Sequence, residues 1–235
     1  MPYRRLPNTD ISRIKALKTA IEKSSSIDFK NVALNTKTLA DARTIVEKFE
    51  RLTLKYQRTF DTQVKANISF QAKVKSARLY ISHFVQVLNM CVIRSEIKTN
   101  QLELYGLQEL DLILPDLSSN DMILEWGEKI INGERERILQ GGVPIYNPSI
   151  AKVNVMFSQF KEGYKTQKIH QNATNRIQEE ISDFREVVDK VILNIWDEVE
   201  EYNSSFEQNK RIEKNKEYGI IYYYRKGETI ANEND

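Results

Sequence analysis

The chain has 235 residues, 40% of them hydrophobic, which suffices for one domain or a pair of small ones with a substantial buried core. A single cysteine, Cys91, excludes an intrachain disulfide and a thiolate zinc cluster. The most apolar run, residues 79–93, carries His83, Gln86 and Asn89 and falls short of the ~20 residues that span a bilayer.

The opening MPYRRLPNTD lacks the apolar stretch of a signal peptide, so the reading is a soluble cytoplasmic protein. The net charge of +2 hides a division along the chain. Residues 1–94 hold 18 Lys and Arg against 7 Asp and Glu, a balance of +11; the rest holds 17 against 26, a balance of −9. Two readings follow: a basic arm packed beside an acidic one, or an exposed basic surface for nucleic acid.

No glycine or proline falls between Pro7 and Gly106, and only Gly163 interrupts residues 149–218. Two long helical arms, about 31–98 and 148–209, are expected, joined by a connector, about 99–147, that collects the helix breakers. In chain order, Asn8, Thr9 and Asp10 offer capping oxygens to a short helix with Ile11, Ile14, Leu17 and Ile21 inward, ended by Ser24 to Ser26. The first arm then shows a coiled-coil-like seam at Leu39, Ala42, Val46, Phe49, Thr53, Tyr56 and Phe60. From Ala77 the apolar face widens through Tyr80, Ile81, Phe84, Val85, Leu88, Cys91 and Val92, which predicts a helix buried on most of its circumference.

Within the connector, Ser118 to Asn120 can cap a short helix with Ile123, Trp126, Ile130 and Ile131 inward. Gly141, Gly142 and Pro144 mark a turn, with an anion-binding nest as the alternative, and Asn147 before Pro148 starts the second arm. That arm carries apolar positions from Ile150 through Tyr164 and from Ile177 through Phe206. Each arm has a polar waist, residues 61–71 and 165–176. If both waists turn, the fold is an antiparallel four-helix bundle; if neither does, it is a long two-helix hairpin. The bundle is preferred, because Asn175 with Gln178 resembles a capping box and compact packing covers the broad face of residues 77–92 better. Residues 218–225, rich in tyrosine and isoleucine, read as a short strand needing a partner, and residues 227–235 as a disordered tail. The expectation is therefore an all-α single domain over residues 1–226.

Chemistry is sparse. Neither His83 nor His170 follows a glutamate at the spacing a di-iron bundle uses, and no Walker loop, nucleophile elbow or dinucleotide fingerprint is present. Cys91, among Met90, Val92 and Leu88, reads as a core thiol. The acidic residues of the last helix read as solvated or ion-paired, and so does the run Lys48, Arg51, Lys55 and Arg58, whose alternative role is to meet phosphates. No catalytic, cofactor or metal residue is assigned.

Six stretches, MPYRRLPNTD, ARLYISHFVQVLN, ILEWGEKIINGE, GGVPIYNPSI, IWDEVEEYN and EYGIIYYYRKGE, together resemble a group of helical proteins from Bacteroidetes-type bacteria. The resemblance covers most of the chain and implies a bacterial source; it transfers no activity, cofactor or site residue. The unusual aromatic residues Tyr105, Trp126, Tyr146 and Trp196 are the candidate interaction surface. The function expected is a non-enzymatic interaction or scaffold module with a protein partner or self-association and no membrane contact. The alternative is weak nucleic-acid binding by the basic arm, and a ligand pocket under the connector is a third reading.

Overall fold

The computed structural model describes residues 3–28 and 31–224, and they are almost wholly helical. The order is β1 (Tyr3–Arg4), α1 (Asp10–Ser25), α2 (Thr36–Ile93), a 3-10 helix (Thr99–Tyr105), α3 (Asn120–Leu139), α4 (Ile150–Tyr202), α5 (Gln208–Glu217) and β2 (Tyr222–Tyr223). The all-α class is as expected. The turns expected at residues 61–71 and 165–176 do not form, because α2 and α4 run through both. Polar residues alone do not stop a helix. Without glycine, proline or a capping side chain that outcompetes the next backbone hydrogen bond, propagation continues. The expected division of the arms into four helices is not seen at these points.

Contacts gather the chain into two compact units, Met1–Arg58 with Thr174–Asp235, and Thr59–Ala173. The domain expected over residues 1–226 is thus internally divided, and each unit has its own core. The expected tail at 227–235 lies outside the described residues.

In the first unit, α1 starts with a full capping box: the Thr9 hydroxyl accepts from the Ser12 amide, and Ser12 answers at the Thr9 amide. Leu17 and Ala20 are buried as the apolar spacing requires, but Ile11, expected inward, is 81% exposed. The first turn presents Asp10 and Arg13 inward, where they pair with Arg185 and Asp189, and the apolar stripe begins a turn later. Ala42, Val46 and Phe49 from α2 meet Ile181, Val188, Ile192 and Trp196 from α4 in this core. Asn35 caps α2 through the Thr38 amide at 2.8 Å, and Glu198 accepts from the Thr38 hydroxyl at 2.6 Å and from the Asn35 amide at 2.9 Å.

The second arm stops at Tyr202, before the expected 209. α5, not foreseen, follows. Of the expected strand 218–225, two of the described residues form one, and they pair antiparallel with the N-terminal segment, Tyr3 opposite Tyr223 and Arg4 opposite Tyr222. Tyr222 donates to Glu200 at 2.6 Å and accepts from Asn215 at 2.8 Å, which fixes β2 to α4 and α5.

In the second unit the broad face of α2 is the centre of the core, as expected: Ala77, Ile81, Phe84, Val85 and Leu88 are all fully buried. α3 supplies Ile123, Ile130 and Ile131, and α4 supplies Val153, Phe157 and Phe160. Two connector glycines counted as helix breakers, Gly127 and Gly133, lie inside α3. Both are packing positions, since a Cβ on Gly127 would overlap the Phe157 ring and one on Gly133 would sit 2.6 Å from the Leu104 carbonyl. α4 begins at Ile150 rather than at Pro148, with the Val153 amide donating to the Ser149 carbonyl at 3.1 Å.

Candidate functional site

The inward face of α3 runs Ile123, Gly127, Ile130, Glu134 and Arg137, so a helical stripe that starts apolar ends in two charges. Both are inside the protein. The Arg137 side chain is 2% exposed and that of Glu134 0%, and they pair through Nη2 and Oε1 at 2.8 Å and through Nε and Oε2 at 2.9 Å. Tyr105, at the end of the 3-10 helix, donates its hydroxyl to Glu134 Oε2 and accepts from Arg137 Nε at 2.9 Å. Burial pushes the Tyr105 hydroxyl well above its ordinary pKa, and the bond to Glu134 adds to the shift. Burial opposes the charge on Arg137, but its hydrogen bonds to Glu134 and Tyr105 raise its pKa nonetheless.

The pair also holds the connector. Arg137 Nη2 donates to the Val143 carbonyl at 2.8 Å, and Glu134 Oε1 accepts from the Ile145 amide at 3.0 Å. Gly142 lies against the guanidinium so closely that a Cβ there would sit 2.7 Å from Nη1. The irregular stretch after α3 is therefore tied to a buried charge at two backbone points. A buried ion pair contributes little net stability; its better-attested use is to fix one arrangement among several.

That stretch forms one wall of a cavity of about 820 Å³, within the range of ligand and peptide clefts. The end of α2, the turn after it and the 3-10 helix form the rest, through Val87, Cys91, Arg94, Ile97, Lys98 and Gln101. Tyr146 and Val143 stand at the edge, 80% and 71% exposed. Burial raises the pKa of the Cys91 thiol, and the Arg94 guanidinium touches its sulfur at 3.7 Å.

The four aromatic residues singled out in the sequence do not form one surface. Tyr105 and Trp196 are fully buried, in the second and the first unit respectively. Trp126 is half-buried against the second core, with Lys129 over its ring at 4.6 Å. Of the four, Tyr146 alone is largely exposed. The Gly141–Gly142 pair is a turn rather than a nest: its amides donate to the Ile138 and Arg137 carbonyls at 2.9 and 3.0 Å and are used up closing α3.

The basic N-terminal half meets the acidic α4 at several points. Arg13 meets Asp189 at 2.8 Å, Lys55 meets Glu180 at 3.8 Å, Arg4 meets Asp197 at 2.7 Å, and Lys48 lies over Phe184 at 4.5 Å. Arg51 pairs along its own helix with Glu47. His83 is exposed, and among the described residues no group of three or more His, Cys, Asp or Glu is placed to hold a metal ion. Among them, too, no helix is long and apolar enough to cross a membrane.

No family model, curated protein or solved structure matches the chain. The residues in and beneath the cleft wall that sequence reasoning missed are Glu134, Arg137, Lys98 and Gln101. The first two carried a signal: they continue the 3-4 spacing of Ile123, Gly127 and Ile130, so they are charges in buried register.

Proposed function

We propose that the protein is a non-enzymatic, cytoplasmic, bacterial helical interaction module that takes a protein partner at the connector cleft. The observation that carries this reading is a cleft wall held rigid from inside by the Tyr105–Glu134–Arg137 cluster. A preformed wall loses little entropy on binding, and exposed Tyr146 and Val143 supply an aromatic and an aliphatic contact beside it. The one thiol in the cleft is kept protonated by burial, which suits packing better than nucleophilic attack. Nucleic-acid binding by the basic arm is the weaker reading, because Arg51 and Lys55 of that arm already face Glu47 and Glu180.

The test is photocrosslinking in the native host, with benzoylphenylalanine in place of Tyr146 or, as a control, of exposed Ile11. A discrete protein adduct at position 146 that is missing at position 11 is the expected result. No adduct at 146, or the same adducts at both positions, overturns the reading.

A further inference from the structure

The cleft's charges are unequally matched. Among the described residues its wall holds one carboxylate, Glu96, and Arg94 holds it through two bonds, Nε to Oε1 at 2.8 Å and Nη2 to Oε2 at 3.1 Å. Arg137 is neutralised beneath the wall by Glu134. Lys98 is exposed and has no ion-pair partner among the described residues, and the side-chain amide of Gln101, three residues on along the 3-10 helix, has no hydrogen-bond partner there either. Lys98 therefore leaves the cleft one unmatched positive charge, beside a spare amide donor and above an apolar floor of Val87, Ile97 and Ile145. A concave site with one uncompensated cation favours anions, and apolar walls favour a ligand whose charge is attached to an apolar body.

We infer that the connector cleft recognises a short acidic peptide segment of its partner, with a carboxylate on Lys98 and Gln101 and an adjoining aliphatic or aromatic side chain against Val143 and Tyr146. This inference rests on the reading of the cleft as the interaction site and adds the partner's chemistry. Lys98 supplies the charge as a flexible point donor, so the geometry tolerates aspartate or glutamate at the contact. The apolar edge supplies the area, and the fixed wall supplies the register.

The experiment uses the full chain and two fluorescein-labelled hexapeptide pools, one with two Glu among Leu, Phe and Ser, the other with Gln in place of Glu. Fluorescence anisotropy is read at 50 and 300 mM salt. The acidic pool is expected to bind at least tenfold more tightly than its neutral counterpart, with the difference shrinking at high salt. Lys98→Glu should remove that preference and Lys98→Arg should keep it, with unchanged circular dichroism spectra excluding misfolding. If both pools bind equally and Tyr146→Ala with Val143→Asp abolishes both, the acidic partner is wrong and the cleft stands. If neither pool binds the wild-type chain, or binding survives the Tyr146 and Val143 changes, the inference falls and the cleft fails with it.

Discussion

Charge is used differently in the two units. In Met1–Arg58 with Thr174–Asp235 it lies at the edges of packing and joins helix to helix: Arg13 grips Asp189 and Arg185 grips Asp10, each through two bonds, with all four groups partly open to water. In Thr59–Ala173 the Glu134–Arg137 pair is sealed inside and joins a helix to an irregular wall. Partly open pairs can be lost at smaller cost, because water can take the place of the missing partner. A sealed pair cannot be halved cheaply, because the charge left behind has no water to turn to.

That contrast can be broken most directly at Glu134. Glu134→Ala should cost about 3–5 kcal/mol by leaving Arg137 buried and unpaired. One tryptophan lies in each unit, Trp126 in the second and Trp196 in the first, so urea unfolding of a Trp196→Phe background, followed by fluorescence, reads the second unit. A loss below 1 kcal/mol would show that the pair is not sealed. Leu88→Ala comes next, at about 2–5 kcal/mol, since Leu88 is fully buried on the broad face of α2. A melting temperature unchanged by it would mean that the face is misassigned. Gly133→Ala should cost about 1–3 kcal/mol, because the added methyl meets the Leu104 carbonyl and the Tyr105 ring. In the first unit Asp189→Asn should cost no more than about 1 kcal/mol and lose that effect in high salt, by differential scanning calorimetry. A penalty matching that of Glu134→Ala would erase the contrast.

The smallest effect near neutrality is alkaline. Burial raises the hydroxyl pKa of Tyr105 in the second unit and of Tyr218 and Tyr222 in the first. The folded state then keeps protons that the unfolded chain releases above about pH 10, so stability is intact below that pH and falls as pH rises beyond it. Tyr105→Phe should flatten this fall for the second unit, and an unaltered slope in urea titrations between pH 9 and 11 would count against it.

Much of the fold was legible because it rests on helical spacing. The seam Ala42, Val46 and Phe49 and the face Ala77 to Val92 are buried where 3.6-residue periodicity puts them. The waists look like breaks by polarity alone, but polarity does not stop a helix, and neither waist contains a glycine or proline to end one. The packing role of Gly127 and Gly133 is not legible locally, because a glycine at a helix crossing and a glycine at a turn look alike until the opposing ring or carbonyl is known. The cleft was the least legible part. Its walls come from α2, the 3-10 helix and the stretch after α3, and no local pattern announces that Lys98 and Tyr146 share a cavity. The aromatic residues drew notice by rarity, which finds Tyr105 and Trp196 without telling that both face inward.

The Ile145 amide donates its proton to the buried Glu134 carboxylate. It belongs to an irregular stretch, where backbone protons ordinarily trade with solvent in seconds, yet its proton can leave only when the carboxylate lets go. Deuterium uptake at this one position therefore clocks the opening of the buried pair, and it should run as slowly as at Ile130 inside α3, while the nearby amide of Asn147 fills at once.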